Sequence, residues 1–154
     1  MPADLTYYIR EGVLVGLIQG QMYHLEALSG GGGGSTLKRT SSAVNNPYME
    51  GLQTRGEPHA KAHVHGGPIP PGKYSVQAPS KHPHLGLSAR LVSSRHVRPM
   101  GRDGFYIHGR GPHGSDGCIV PLNSVQFHRL MLALKHSRGG TLFVQETADG
   151  TRYV

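Results

Sequence analysis

A chain of 154 residues with 36% hydrophobic residues suits one compact core and is too short for several large ones. Its 23 glycines and 11 prolines stand beside apolar residues grouped in strand-like runs, which favours a small, loop-rich, mostly β domain over a disordered chain. A formal net charge of +7 favours anionic partners such as nucleic acid, cell-envelope polymers or acidic lipid headgroups, and the single cysteine excludes an intrachain disulfide framework.

The longest apolar run, Gly12-Val-Leu-Val-Gly-Leu-Ile18, falls well short of the roughly 20 residues that span a bilayer, so no membrane span is expected. The N-terminus carries Asp4 and no basic segment, so no secretory signal peptide is expected. Leu5 to Leu28 reads as two or three short strands. Tyr7, Ile9, Val13, Val15, Leu17, Tyr23 and Leu25 supply period-two patches, and Gly12, Gly16 and Gly20 are the expected breakers. Five consecutive glycines, Gly30 to Gly34, open a Gly/Ser-rich segment, 30–46, expected to be a flexible loop.

In Pro68-Ile-Pro-Pro-Gly-Lys-Tyr74, Pro71 and Gly72 fit the two central positions of a type II turn. Lys73 to Ala78 then alternates as a strand with Tyr74 and Val76 on one face, and Leu85 to Val92 reads as another. In Phe105 to Gly109 the period of two sets Tyr106 and His108 on one face, Phe105 and Ile107 on the other. Asn123 or Ser124 caps a helix to about Ser137, with Val125, Leu130, Met131 and Leu134 as its core stripe and Gly139 as its stop. Thr141 to Gln145 closes the chain as a strand.

The chemistry concentrates in Phe105-Tyr-Ile-His-Gly-Arg-Gly-Pro-His-Gly-Ser-Asp-Gly-Cys-Ile-Val120. A thiol works as a nucleophile only as a thiolate, which needs an adjacent imidazole, cation or helix N-terminus. His108 ends one strand and Cys118 begins the next element, and the short Gly-rich loop between them can bring imidazole and sulfur together. Gly117 removes a Cβ beside the nucleophile, leaving backbone N–H groups of Gly117 and Cys118 to face a developing oxyanion. Ser115, Asp116 and Gly109 are supporting candidates, and a backbone carbonyl of the loop can orient the imidazole. His113 is a second candidate base. In an arbitrary protein the same residues would be a buried cysteine and a solvated histidine.

Two other function classes compete. His59, His63 and His65 have a spacing that suits zinc, as in a zinc peptidase, with Glu57 the nearest acidic residue; loss of activity with chelator would mark it. The charge also fits a basic nucleic-acid-binding protein, but no RNP-like aromatic pattern, zinc finger or recognition helix accompanies it.

The ordered motifs resemble a known family. Ile107-His108-Gly109 followed by Ser115-Asp116-Gly117-Cys118-Ile119 is similar to the signature of YkuD-like L,D-transpeptidases. Asn45-Asn46-Pro47-Tyr48-Met49, Gly67 to Tyr74 and Gly101 to Gly109 bring the chain closer to the type VI secretion L,D-transpeptidase effectors. Asp116 stands where housekeeping members carry His, and Val120 where they carry Arg or Asn; Arg102 or Arg110 then takes over substrate carboxylate binding. The resemblance implies one YkuD-like β-sandwich or barrel domain over 1–154 with one short C-terminal helix. It implies a Cys118 nucleophile with His108 as proton-transfer partner and no cofactor or metal. Tyr106 and His113 join Arg102 and Arg110 as possible substrate-binding residues. The implied function is an antibacterial peptidoglycan-modifying toxin. It acts on tetrapeptide stems as an L,D-carboxypeptidase or D-amino-acid-exchanging transpeptidase. Its implied partners are type VI delivery components and a cognate immunity protein, with no nucleic acid. It would be made in the cytoplasm and act in the periplasm of the target bacterium.

Overall fold

The computed structural model describes residues 2–30, 44–47, 67–94, 104–109 and 117–149. They form nine strands and one helix: β1 (Ala3–Tyr8), β2 (Val13–Ile18), β3 (Gln21–Ser29), β4 (Gly72–Val76), β5 (Ser80–His82), β6 (Gly86–Ser93), β7 (Phe105–His108), β8 (Ile119–Pro121), α1 (Ser124–Ser137) and β9 (Gly140–Gln145). The strands run in the order β4-β9-β1-β2-β3-β8-β7-β6, and β6 pairs back onto β4. That last pairing closes an eight-stranded barrel, and β5 adds to β6 as an extra strand. The expected small β barrel with one short helix is therefore observed.

Local chemistry explains the strands. Ala3, Leu5 and Tyr7 alternate inward along β1 while Asp4 faces out. Gln19 and Gly20 join β2 to β3 with φ of 51° and 79°, the paired positive values of a two-residue hairpin turn whose twist matches the strands. Gly16 departs from its expected role: it lies inside β2, where a Cβ would fall 2.1 Å from the Asp4 carbonyl oxygen, so it permits close strand approach and breaks nothing. The barrel also buries the opposite face of β2 from the patch Val13, Val15 and Leu17. Leu14 and Ile18 point inward and Leu17 is exposed.

Tyr74 and Val76 share a face as expected, that face is the core side, and the Tyr74 ring meets Phe105 edge-on at 6.1 Å. Gly72 has a positive φ, but at 149° it begins β4 opposite Val144 and lies far from the roughly 80° of a type II turn. In α1 the buried residues are Phe127, Leu130, Met131 and Leu134, spaced for one helical face. Val125, expected to begin the stripe, is 67% exposed, and Phe127, two residues on, takes its place. Asn123 is the cap, accepting from Gln126 N at 3.0 Å. The left-handed stop falls on Arg138 and Gly139 together, with φ of 58° and 82°.

The segment 30–46 is anchored at both ends. Gly30 packs so closely on Gly67–Pro68 that a Cβ would lie 2.3 Å from Gly67 C. Asn45 accepts from Ser29 N at 2.8 Å and from the Tyr7 hydroxyl at 2.7 Å, and donates to Ala27 O at 3.1 Å. Burial pushes the Tyr7 phenol far above its ordinary pKa, so it acts there as a neutral donor. Residues 31–43 lie outside the described residues. Among the described residues no helix is long and apolar enough to cross a membrane.

Candidate active site

β7 and β8 are neighbours and run parallel, with Ile107 opposite Ile119. Both isoleucines are fully buried in the barrel. Alternation then turns His108, one residue after Ile107, and Cys118, one residue before Ile119, to the other face of the sheet. Two residues of offset across one strand spacing put their Cα atoms roughly 8 Å apart. Tyr106 shares that face. The segment between them is thus a crossover linking parallel neighbours.

His108 is 3% exposed. Its Nδ1–H donates to Gly109 O at 2.8 Å, because a carbonyl only accepts. The proton is therefore on Nδ1, and Nε2 carries the lone pair. No described residue bonds to that Nε2. Desolvation lowers the His108 pKa below its ordinary value; the bond to Gly109 opposes this and the nearby His82 adds to it. Gly109 is itself held beneath α1: a Cβ there would lie 3.2 Å from the Phe127 ring. The expected backbone carbonyl beside the imidazole is thus present in the structure, one residue along.

Gly117 has φ of 130°, a conformation that side chains disfavour, which accounts for glycine before the thiol. Its carbonyl accepts from Ser29 Oγ at 3.0 Å, and the same Oγ accepts from Ile69 N at 2.9 Å. Ser29 is fully buried, so one hydroxyl ties β3, the Pro68–Ile69 segment and the turn leading to Cys118. The half-buried Cys118 thiol donates to Gly104 O at 3.8 Å, at the start of β7.

Two residues on or near this face were not anticipated. His82, in β5, meets the Tyr106 ring at 5.0 Å. The β5–β6 and β6–β7 registers place His108 at a level between them, so the two rings come together across the position of His108. A His-Pro-His turn carries no motif that would have announced this. Ser29 carried no signal either, since its role depends on three segments distant in sequence. Arg102, Arg110, His113, Ser115 and Asp116 lie outside the described residues, as do His59, His63 and His65. Among the described residues no group of three or more His, Cys, Asp or Glu is placed to hold a metal.

No curated protein and no solved structure matches the chain. A family model, the Tlde1 domain, matches residues 51–143, which include β4 to β8, α1, His108 and Cys118. That match covers more than half of the chain, which thus belongs to the Tlde1-domain family of type VI secretion effectors of the L,D-transpeptidase kind.

Proposed function

We propose that the chain is a cysteine acyl-transferase of peptidoglycan tetrapeptide stems, with Cys118 as nucleophile and His108 as its proton-transfer partner. The observation that carries this reading is the parallel β7–β8 register, which turns both residues to one face, with the His108 lone pair on Nε2. The Cys118 thiol gives its proton to Nε2, and the thiolate attacks the carbonyl of the diamino-acid residue before the terminal D-alanine. Backbone N–H groups at Gly117 and Cys118 stabilise the oxyanion, with Ser115 and Asp116 supporting the loop. The C–N bond breaks, His108 returns the proton to the departing amine, and D-alanine leaves a thioester on Cys118. Water, a D-amino acid or a stem amine then resolves the thioester, giving carboxypeptidase, exchange or cross-linking products. Membership of the effector family favours the first two. Tyr106, Arg102, Arg110 and His113 are proposed substrate contacts.

In this reading the site of action is the periplasm of a target bacterium, and a cognate immunity protein shields the producer. Incubation with tetrapeptide muropeptides tests it. The wild-type protein releases D-alanine, seen as the corresponding mass loss, and Cys118→Ala does not. Conversion by folded Cys118→Ala would sink the assignment.

A further inference from the structure

His82 is held in a defined tautomer. Its Nδ1 accepts from His84 N at 3.0 Å and from Leu85 N at 3.2 Å, capping the turn between β5 and β6. Backbone N–H groups only donate, so the ring's proton is on Nε2. No described residue accepts from that Nε2–H. The ring is half-buried on the face that carries Tyr106, His108 and Cys118. The two imidazoles are thus complementary: His108 offers a lone pair at Nε2 and His82 offers a hydrogen.

Among the described residues from Gly67 to Gln145 the charge is one-sided. From Gly67 to Gln145 the only acidic residues are Asp103 and Asp116, and none lies among the described residues of that stretch. Arg90 pairs with Tyr106 on the same face and is exposed. A fixed donor on a face whose exposed cation stands four residues further along β6, with no carboxylate among the described residues of that stretch, suits an anionic oxygen. We propose that His82 donates through Nε2–H to a carboxylate of the substrate next to the scissile bond, making the outer face of β5–β7 an anion-binding wall. This rests on the stem-peptide reading above. Such a stem offers two carboxylates there, that of the terminal D-alanine and that on the diamino-acid side chain.

Isosteric substitutions separate donor from turn. His82→Asn keeps an acceptor where Nδ1 stands and deletes Nε2. His82→Gln keeps a donor where Nε2 stands and deletes the turn acceptor. Binding of synthetic tetrapeptides is measured by calorimetry in the Cys118→Ala background, where no acyl transfer intervenes. The peptides are the free acid, the C-terminal amide and the diamino-acid side-chain amide. The parent is expected to bind the free acid about 10- to 100-fold more tightly than one of the amides, and which amide is weak identifies the carboxylate. His82→Asn should abolish that preference and His82→Gln should retain it. The reverse pattern, an equal preference in all three proteins, or no binding of any stem would overturn the proposal. Turnover by wild-type protein is read separately, so loss of the acyl-transfer reading is not mistaken for loss of the His82 role.

Discussion

Ser29→Ala is a small change with a large expected cost. The Ser29 hydroxyl donates to Gly117 O at 3.0 Å and accepts from Ile69 N at 2.9 Å, and the residue is fully buried. Alanine deprives one carbonyl and one amide of this partner at a site water does not reach. Each such loss costs roughly 1–3 kcal/mol, so about 3 kcal/mol of stability is expected to disappear. At roughly 2–4 °C per kcal/mol for a chain of this size, the melting temperature should fall by about 6–12 °C. Calorimetric melting of the two proteins checks this. Below the new transition, muropeptide turnover should also fall, because the Gly117–Cys118 turn loses its tie to β3, while the acid limb of the pH profile stays with His108. A melting temperature within about 1 °C of wild type would refute the idea that this hydroxyl holds the turn leading to Cys118.

Other outcomes follow from the same geometry. Phe127→Ala should cost about 3–5 kcal/mol in urea unfolding, and Val125→Ala should stay within about 0.5 kcal/mol, because only Phe127 is buried. His108 has a lowered pKa, so it remains neutral through the neutral range and activity should decline only below its ordinary value near 6.5. The stability it contributes is full above about pH 6.5 and falls as pH drops towards the lowered folded-state value, read by denaturation across that range. His108→Ala should reduce turnover far more than His113→Ala; the opposite order would make His113 the base. Fused to a periplasmic signal, the chain should arrest growth with swelling or rounding, and the unfused chain and both Cys118→Ala forms should be harmless. Arrest by the unfused form would indicate a cytoplasmic target.

Much of the fold was legible wherever period-two alternation met a turn residue. β4, β7 and β9 were readable as strands, and the shared faces of Tyr74 with Val76 and of Phe105 with Ile107 followed from alternation; that these faces are the inward ones is seen only in the barrel. In β2 alternation misled, because every residue from Val13 to Ile18 is apolar or glycine and nothing marks the outward face. Strands β5 and β8 have three residues each, too few for a period. Barrel closure through β4–β6 and the parallel β1–β9 and β7–β8 pairings are long-range events that local pattern does not encode. At the site, the His108-to-Cys118 spacing was readable because both residues border one crossover. His82 and Ser29 reach the same neighbourhood from other strands, so only the folded register reveals them.

The most direct test is to trap the acyl-enzyme. Wild-type protein is mixed with tetrapeptide stem, quenched in acid within the first turnovers, digested and read by mass spectrometry. The account predicts the stem, less its terminal D-alanine, as a thioester on the peptide containing Cys118, absent in Cys118→Ala and strongly reduced in His108→Ala. Conversion of the stem while Cys118 stays unmodified and its alanine variant stays active would contradict it.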